Sequence, residues 1–501
     1  MGADQPATNG DDLMTETGSS FGSAAKAAAV TAVVLAVTGS AALSVASAEE
    51  ARRSAAAAAD RHARGPVAGA WRMDGYGTVL SVTENRVREY QTTEVSCLKG
   101  TSAERTGGQG TAARYTTGDG ESFTLRRAGS RDRAAMRVDG SPGDRRLRRV
   151  DALPRACGRP ASGDPLESFD VFWQTFEENY PFFEAKGVDW HAVRDRYRPR
   201  VDAGTGKDEL FAVFREMVTP LYDAHVAVLA GDTGSFGQVR PGTRPPTPEL
   251  DARVREFVER RDLKGKELRE FAGGRIGYAD LPGGQGGLQG YLRVSGFAGY
   301  TEAGGYAADR AELRRALDTV LTKERTERLG GLIVDLRING GGSDSLGLEL
   351  AARLTDRPYF AYAKAARNDP SDPARFTRPQ PLYVQPAAGR ARWNGPVAVL
   401  TGGSTVSAGE TFTQALMDRP GRTVRIGQPT QGVFSDTMER RLPNGWSFLL
   451  PNEEFRTRDG RTFDGTGIPP HVTEPVFTDE EFAEERDSAF DRARNELRGR
   501  G

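Results

Sequence analysis

Histidine and cysteine are scarce in this 501-residue chain. Many catalytic and structural centres are built from these two residue types. The chain contains four histidines and two cysteines, without a Cys-x-x-Cys pair or a Cys/His cluster of the kind that holds structural zinc. The sequence therefore indicates neither a metal nor an organic cofactor. Lysine is also rare, and no lysine follows Lys364, which limits the choice of a catalytic base in the second half of the chain.

An excess of one charge sign is missing as well. The 68 Lys and Arg residues nearly balance the 69 Asp and Glu residues, and the formal net charge is −1. A chain without a global basic field is not expected to bind nucleic acid. No repeat of fixed period is visible, and the length allows roughly three domains.

One long apolar run lies near the N-terminus. Residues 27–48, AAAVTAVVLAVTGSAALSVASA, end in Ala46-Ser-Ala48, which fits the small-residue cleavage pattern of a secretory signal. A retained membrane anchor is the alternative, because the run is near the length of a bilayer span. Residues 1–48 are predicted to be a signal peptide or an anchor. Both alternatives place residues 49–501 outside the cytoplasm, secreted or in the cell envelope.

The next part of the chain predicts a spacer and then a small β-domain. Residues 49–65 are rich in Ala and Arg, whereas residues 66–158 contain short β-rich segments separated by Gly-containing turns. Cys97 and Cys157 bracket most of this region. An even cysteine count in an exported chain permits a disulfide between them, and two free buried thiols are the alternative.

Helical periodicity dominates residues 165–230. An aromatic stripe at helical spacing runs from Phe169 to Tyr180, and a second helical pattern runs from Leu210 to Leu221 into the sequence Asp223-Ala-His225. These residues are predicted to form a helical subdomain that carries His225.

Residues 270–475 alternate between strand and helix patterns, which indicates an α/β layer with helices packed on a mainly parallel sheet. Residues 476–501 predict a C-terminal helix. Thr478 is expected to cap this helix, and Glu481 to complete a capping box.

The motif of greatest interest is TGGSTVSAGETF, residues 401–412. Ser407 stands where a buried strand gives way to a helix. A serine at this position caps the helix, because its oxygen accepts from a free backbone N–H. It could equally be a nucleophile, because the helix N-terminus offers a positive potential and N–H donors for an oxyanion. The motif alone does not decide between the two roles.

Other motifs give the chain a specific family resemblance. In order along the sequence stand DLRINGGG at 335–342, VAVLTGGSTVSAGE at 397–410, IGQPTQG at 426–432 and DGTGIPP at 464–470. Together they resemble the tail-specific (C-terminal processing) peptidase family, which implies an α/β core related to the crotonase and Clp protease folds. The resemblance extends back to about residue 168, whereas the β-domain lies outside it.

The same family has two branches that differ in the catalytic base. In the lysine branch the base would fall at Val433, which this chain does not match. The sequence therefore resembles the branch of the tricorn core protease and the interphotoreceptor retinoid-binding-protein-like peptidases. That resemblance implies Ser407 as the nucleophile, His225 as the base and Asp464 as the acid. It also implies an oxyanion hole made by the backbone N–H groups of Gly341, with Gly342 as the alternative, and of Ala408.

Several alternatives stay open at this stage. Ser404 competes with Ser407 as the nucleophile, and a rival triad would replace His225 with His471. The acid could be Glu410 or Asp459 instead of Asp464. Arg337 and Asn339 are expected to fix the glycine turn.

These observations favour an exported serine endopeptidase that acts on a peptide or an unfolded protein. The alternatives are a non-catalytic binding protein on the same scaffold and an esterase-type acyl hydrolase. Contact with a membrane is expected only through an uncleaved N-terminal anchor, and the sequence does not indicate the oligomeric state.

Overall fold

The computed structural model describes residues 66–284 and 287–498. The expected signal or anchor, residues 1–48, and the expected spacer, residues 49–65, lie outside the described residues. Within the described ranges, no helix combines the length and the apolar character needed to cross a membrane.

The chain described from residue 66 onward begins with eight antiparallel strands that form a closed barrel. The strands are β1 Gly69–Met73, β2 Thr78–Val82, β3 Arg86–Thr92, β4 Cys97–Gly107, β5 Ala112–Thr117, β6 Ser122–Ala128, β7 Ser130–Val138 and β8 Arg145–Val150. Each strand pairs with the next, and β8 closes the barrel on β1. Alternate side chains point inward, so that Trp71, Tyr115 and Leu125 are completely buried. The predicted disulfide is present: Cys97, at the start of β4, is bonded to Cys157, just after β8.

A helical region follows the barrel and packs against it. Its helices are α1 Pro165–Asn179, α2 Phe183–Lys186, α3 Trp190–Tyr197 and α4 Lys207–Val218. The carboxylate of Asp164 caps α1 by accepting from the N–H of Leu166 at 2.7 Å. The predicted aromatic stripe lies in the core, where Phe172 stacks on Phe214 of α4 with ring centroids 4.2 Å apart.

The rest of the described chain forms an α/β unit with three sheets. Its strands are β9 Ala227–Leu229, β10 Ser235–Gly237, β11 Arg269–Phe271, β12 Ile276–Pro282, β13 Leu288–Val294, β14 Leu329–Asp335, β15 Tyr359–Ala366, β16 Gln380–Val384, β17 Val397–Thr401, β18 Thr423–Gly427, β19 Thr437–Arg441, β20 Ser447–Pro451, β21 Glu453–Arg456 and β22 Val472–Thr473. Its helices are α5 Pro248–Phe257, α6 Tyr306–Val320, α7 Lys323–Arg328, α8 Asp344–Ala351, α9 Ala408–Ala415, α10 Asp479–Ala483 and α11 Ser488–Arg498.

The main sheet has the strand order β11-β12-β13-β14-β17-β18-β22, and the strands from β13 onward run parallel. The turn at residues 340–342 follows β14, and Ser407 follows the neighbouring strand β17. Because the carboxyl ends of adjacent parallel strands lie at one edge of the sheet, the two motifs meet there.

Two smaller sheets have the strand orders β10-β9-β20-β19 and β16-β15-β21. Strand β9 begins two residues after His225 and pairs antiparallel with β20, where Leu229 lies opposite Ser447. This pairing joins the segment that carries His225 to the α/β unit.

The C-terminal segment differs from the single helix predicted by its sequence. It forms two helices, α10 and α11, with a break at residues 484–487. Thr478 caps α10 as expected, because its hydroxyl oxygen accepts from the N–H of Glu481 at 3.2 Å. The predicted capping box is wrong: the Glu481 carboxylate accepts instead from the N–H of Ser488, at 3.0 Å. The break lets Asp487 turn inward, where it is completely buried.

Candidate active site

Ser407 immediately precedes helix α9 in an unusual backbone conformation. Its φ of +55° lies in the left-handed region, which is costly for a residue with a side chain and is often found at functional sites. Its N–H donates to the carbonyl of Val433 at 3.1 Å, and its carbonyl accepts from the N–H of Glu410 at 2.8 Å. The strained backbone is therefore held on both sides of the serine.

The glycine turn after β14 lies directly against Ser407. A Cβ atom placed on Gly341 would lie 2.7 Å from the Cβ and 3.2 Å from the Oγ of Ser407. Only glycine fits this close approach, and its φ of +88° is also one that glycine tolerates best.

The backbone donors around Ser407 differ in whether they are occupied. The N–H of Gly341 donates to the Oδ1 of Asn339 at 3.0 Å. In the described part of the chain, the N–H groups of Ala408 and Gly342 have no acceptor. Of the predicted oxyanion donors, Ala408 is therefore available as the structure stands, whereas the N–H of Gly341 is already engaged and that of its alternative, Gly342, is free.

Glu410, one turn along α9 from Ser407, is completely buried. Its carboxylate accepts from the N–H of Gly432 at 2.6 Å, of Val433 at 2.9 Å and of Ser407 at 3.2 Å. Burial raises the pKa of Glu410 to about 7, although hydrogen-bond donors including these N–H groups favour its charged form. Because both carboxylate oxygens are engaged by backbone donors, Glu410 holds in place the turn that ends at Ser407, which we call the serine turn.

The segment Gly432–Phe434 connects the serine to the predicted acid. Val433 accepts from Ser407, as described, while the N–H of Phe434 donates to the Oδ1 of Asp464 at 3.4 Å. The hydroxyl of Thr462 donates to the other oxygen of Asp464. Asp464 is therefore anchored on the same segment that holds the backbone of Ser407.

Burial raises the pKa of Asp464 well above its usual value, and the nearby carboxylates of Asp223 and Glu410 add to this effect. Three carboxyl groups thus share one buried region beside the serine turn, and Asp464 retains its proton more readily than an exposed aspartate.

His225 lies just before β9, and its Nδ1 is buried without a hydrogen-bond partner among the described residues. Its backbone N–H donates to Asp223 at 2.9 Å, and the hydroxyl of Tyr180 donates to the same carboxylate at 2.8 Å. Burial lowers the pKa of His225, and the carboxylates of Asp223 and Asp436 partly offset this effect. The imidazole is therefore neutral near pH 7, which is the form required of a general base.

The structure links Ser407 to Asp464 through the segment Gly432–Phe434 and shows no hydrogen-bonded triad among the described residues. Within the described residues, His225 makes no side-chain hydrogen bond to either Ser407 or Asp464. The shared neighbours are Asp223, which acts electrostatically on both His225 and Asp464, and the segment Gly432–Phe434.

The competing candidates are engaged elsewhere. The hydroxyl of Ser404 donates to the carbonyl of Arg244 at 2.7 Å. His471 accepts through its Nδ1 from the N–H of Arg425 at 3.1 Å, beside β18. Asp459 is exposed and pairs with Arg461. The hydroxyl of Ser404, the Nδ1 of His471 and the carboxylate of Asp459 are therefore occupied, whereas the Nδ1 of His225 has no partner among the described residues.

Sequence reasoning missed some of the residues around the site. Asp436 was not singled out, because a lone aspartate before a strand carries no sequence signal. Gln431 was seen only as part of a motif, yet its side chain donates to the carbonyl of Gly403 at 2.9 Å and accepts from the N–H of Arg240 at 2.9 Å. It thereby ties the loop between β10 and α5, which contains Arg240, to the turn that ends at Ser407.

Among residues 66–284 and 287–498, no group of three or more His, Cys, Asp or Glu side chains is arranged to hold a metal ion.

Two family models match the chain. Peptidase family S41 matches residues 289–474, and the Tricorn protease C1 domain matches residues 164–219. The first match contains the two turns and Asp464, and the second covers α1 to α4.

Two curated proteins are similar to part of the chain. The chain is 25% identical over 158 residues to a chloroplastic carboxyl-terminal-processing peptidase 2 of Arabidopsis thaliana, covering 32% of this chain and 28% of that protein. It is 25% identical over 185 residues to a carboxy-terminal-processing protease of Bartonella bacilliformis, covering 36% of this chain and 38% of that protein. The matched region thus spans only about a third of the length of these curated relatives.

A solved structure extends the likeness over the fold. The crystal structure of a Parabacteroides merdae protein described as a peptidase superposes with a TM-score of 0.57 at 25% identity, covering 68% of this chain and 98% of that one. Taken with this structure and the curated relatives, the two family models support assignment of residues 164–219 and 289–474 to the tail-specific S41 family of peptidases.

Proposed function

We propose that the chain is an exported serine endopeptidase in which Ser407 is the nucleophile and His225 the general base. One observation carries the proposal. Ser407 stands in a strained left-handed conformation at the start of α9, in contact with Gly341 and beside the unpaired N–H of Ala408. A serine placed in this way has both the N-terminus of a helix and an oxyanion donor next to it.

The chemistry would begin with proton transfer from Ser407. The neutral imidazole of His225 removes the Oγ proton as Oγ attacks the carbonyl carbon of a peptide bond, which forms a tetrahedral oxyanion. The N–H of Ala408 stabilises this oxyanion together with an N–H of the Gly341–Gly342 turn. Each such donor typically contributes about 3–4 kcal/mol to transition-state stabilisation. His225 then protonates the leaving amine, and water hydrolyses the acyl-enzyme.

The acid in this scheme is Asp464, supported by Asp223. A positive imidazolium forms during the reaction, and nearby carboxylates stabilise it. Asp223 already raises the pKa of His225 in the resting structure. Asp464, which lies close enough to Asp223 for the two charges to interact, is proposed to orient the ring when substrate is bound.

The proposed substrate is a peptide or an unfolded protein segment, since the relatives are processing proteases. Export is proposed from the apolar run at residues 27–48. An esterase-type hydrolase would use the same groups, so that turnover of matched peptide and ester substrates separates the two activities.

The proposal is tested with residues 49–501 and an active-site-directed fluorophosphonate. Wild type is compared with Ser407→Ala, His225→Ala and His471→Ala, and the labelled peptide is mapped by mass spectrometry. We expect labelling at Ser407 that requires His225 and does not require His471. His471→Ala serves as the matched control, because this histidine is engaged beside β18.

A folded wild-type protein that is not labelled, although its site is open to the probe, would contradict the proposal. Ser407 would then act as a helix cap, and a non-catalytic binding protein would be the better description. Labelling that survives His225→Ala and disappears in His471→Ala would instead favour the rival triad.

A further inference from the structure

The loop between β7 and β8 of the barrel, residues 139–144, reaches the α/β unit beside the proposed site, and we call it the docking loop. The carbonyl of Gly140 accepts from the hydroxyl of Ser343 at 2.7 Å and from the N–H of Ser345 at 3.1 Å. Ser343 directly follows the turn at residues 340–342 and caps helix α8. The docking loop therefore holds the chain just beyond the glycine turn.

The same loop contacts Asp436 through a partly buried polar cluster. The hydroxyl of Ser141 donates to the Oδ2 of Asp436 at 2.6 Å. Lys364 lies 3.4 Å from that oxygen, 3.3 Å from the Oγ of Ser141 and 2.9 Å from the Oε2 of Glu453. Lys364 and Glu453 are both buried. Because buried charges are tolerated only when paired, these contacts fix the position of Asp436.

Asp436 lies two residues beyond Phe434, at the end of the segment 432–436 that organises the proposed site. Two residues earlier, Phe434 donates to Asp464, and Val433 binds the backbone of Ser407. Ser435 lies between Phe434 and Asp436 in the sequence. Its hydroxyl oxygen accepts from the N–H of Glu453 at 3.1 Å. The segment is therefore short and tied down at both ends, and the docking loop supplies one of the ties.

Asp436 also acts on the proposed base, since its charge is one of the two that raise the pKa of His225. Burial would raise the pKa of Asp436 itself, but Lys364, Arg145 and the hydrogen bond from Ser141 outweigh this and hold it at about 2. Asp436 is therefore charged throughout the neutral range.

We infer that the N-terminal barrel is part of the catalytic apparatus, with Ser141 as a positioning residue that acts through Asp436. This inference rests on the proposed function. The docking loop lies outside both segments matched by the family models, which are residues 164–219 and 289–474. The barrel thereby sets the place of the segment that holds Ser407 and Asp464, in addition to any role in recruiting substrate.

The test measures the rate of fluorophosphonate labelling at Ser407 in the full chain, resolved into a maximal rate and a half-saturating probe concentration. Ser141→Ala removes the hydroxyl that binds Asp436, and Ser141→Thr restores one. Ser122→Ala is the matched control, because among the residues that the structure describes the Oγ of Ser122 hydrogen-bonds only to Thr116 of the barrel.

We expect Ser141→Ala to lower the maximal rate about tenfold with a half-saturating concentration within about twofold of wild type, which corresponds to the loss of one hydrogen bond to a charged group. Ser141→Thr and Ser122→Ala should match wild type. A change in stability alone would reduce the folded fraction and leave the rate per folded molecule unchanged, so rates are normalised to folded protein.

A wild-type maximal rate in folded Ser141→Ala would overturn the inference while the proposed function stands. Absence of labelling in folded wild type would overturn the proposed function and the inference with it. If Ser141→Ala does not fold, Asp436→Asn carries the test. A normal maximal rate in that variant would refute the inference, and a tenfold lower one would support it.

Discussion

Replacement of Asp487 by alanine should cost the protein a large part of its stability. Arg337, in the turn after β14, is completely buried, and its Nη1 donates to the two oxygens of Asp487 at 2.7 and 2.8 Å. Removing one partner of a buried ion pair typically costs about 3–5 kcal/mol, and the lower end of this range applies because Arg337 stays paired with Asp335 at 2.7 Å. Asp487 also accepts from the N–H of Phe490 at 2.9 Å at the start of α11, and the loss of such a cap costs about 1 kcal/mol. The expected decrease in the free energy of unfolding is therefore about 4 kcal/mol.

Urea unfolding of wild type, Asp487→Ala and Asp487→Asn would measure this decrease. Asparagine keeps a capping oxygen and loses the charge, so the two variants should differ by about 1 kcal/mol. Asp262 limits the effect: burial and the charge of Asp487 raise its pKa, and it ionises more readily once that charge is removed. Asp491→Ala is the control, because Asp491 pairs with Arg261 at the surface, where such a pair contributes about 1 kcal/mol or less. If Asp487→Ala lowered the stability no more than this control does, the reasoning from the buried pair would be refuted.

Two further predictions concern the pH profile and the disulfide. Because burial lowers the pKa of His225 and its base form is neutral, labelling should rise through a midpoint below 6.5 and level off above it. Asp223 and Asp436 are the carboxylates that raise this pKa, so Asp436→Asn should move the midpoint to a lower pH, and a midpoint shifted upward would contradict the assignment. Replacing Cys97 and Cys157 together with serine removes a cross-link with a sequence separation of 60 residues and should destabilise the barrel by about 4 kcal/mol in urea, whereas a change below about 1 kcal/mol would contradict the chain-entropy argument.

The elements that the sequence predicted best are those whose pattern is local. The β-rich segments predicted in residues 66–158 form strands β1 to β8, and the aromatic stripe forms one face of α1. Apolar periodicity reports which face of an element is buried, and it does so without knowledge of the partner. The closure of eight strands into a barrel was not predicted, because it depends on which strands pair across long separations.

The C-terminal segment illustrates the opposite case. Its charged pattern reads as one continuous helix, yet the chain breaks so that Asp487 can reach Arg337. The energy of this distant ion pair outweighs the helix propensity of a few residues, and nothing in the local pattern reports it. The same limit applies to Asp436, whose position depends on the barrel.

The candidate residues of the site were accessible from the sequence because they stand in ordered motifs. The sequence does not show which of these groups are hydrogen-bonded in the folded chain. That the N–H of Gly341 is engaged by Asn339 and that the Nδ1 of His225 lacks a partner are properties of the folded chain. Hydrogen-bond occupancy requires the coordinates of both groups, which no motif supplies.

The antiparallel pairing of β9 with β20 has a consequence for folding. The contact joins Leu229 to Ser447, so a very long stretch of chain must close before it forms, and the entropy of that closure makes the contact a late one. Until it forms, the segment with His225 lacks one of the contacts that place it against the α/β unit. Partly folded molecules, which expose the unstructured segments that a peptidase would cleave, would therefore lack the final placement of the base proposed above. Hydrolytic competence would appear only with the completed tertiary structure, and folding intermediates would be protected from attack by one another.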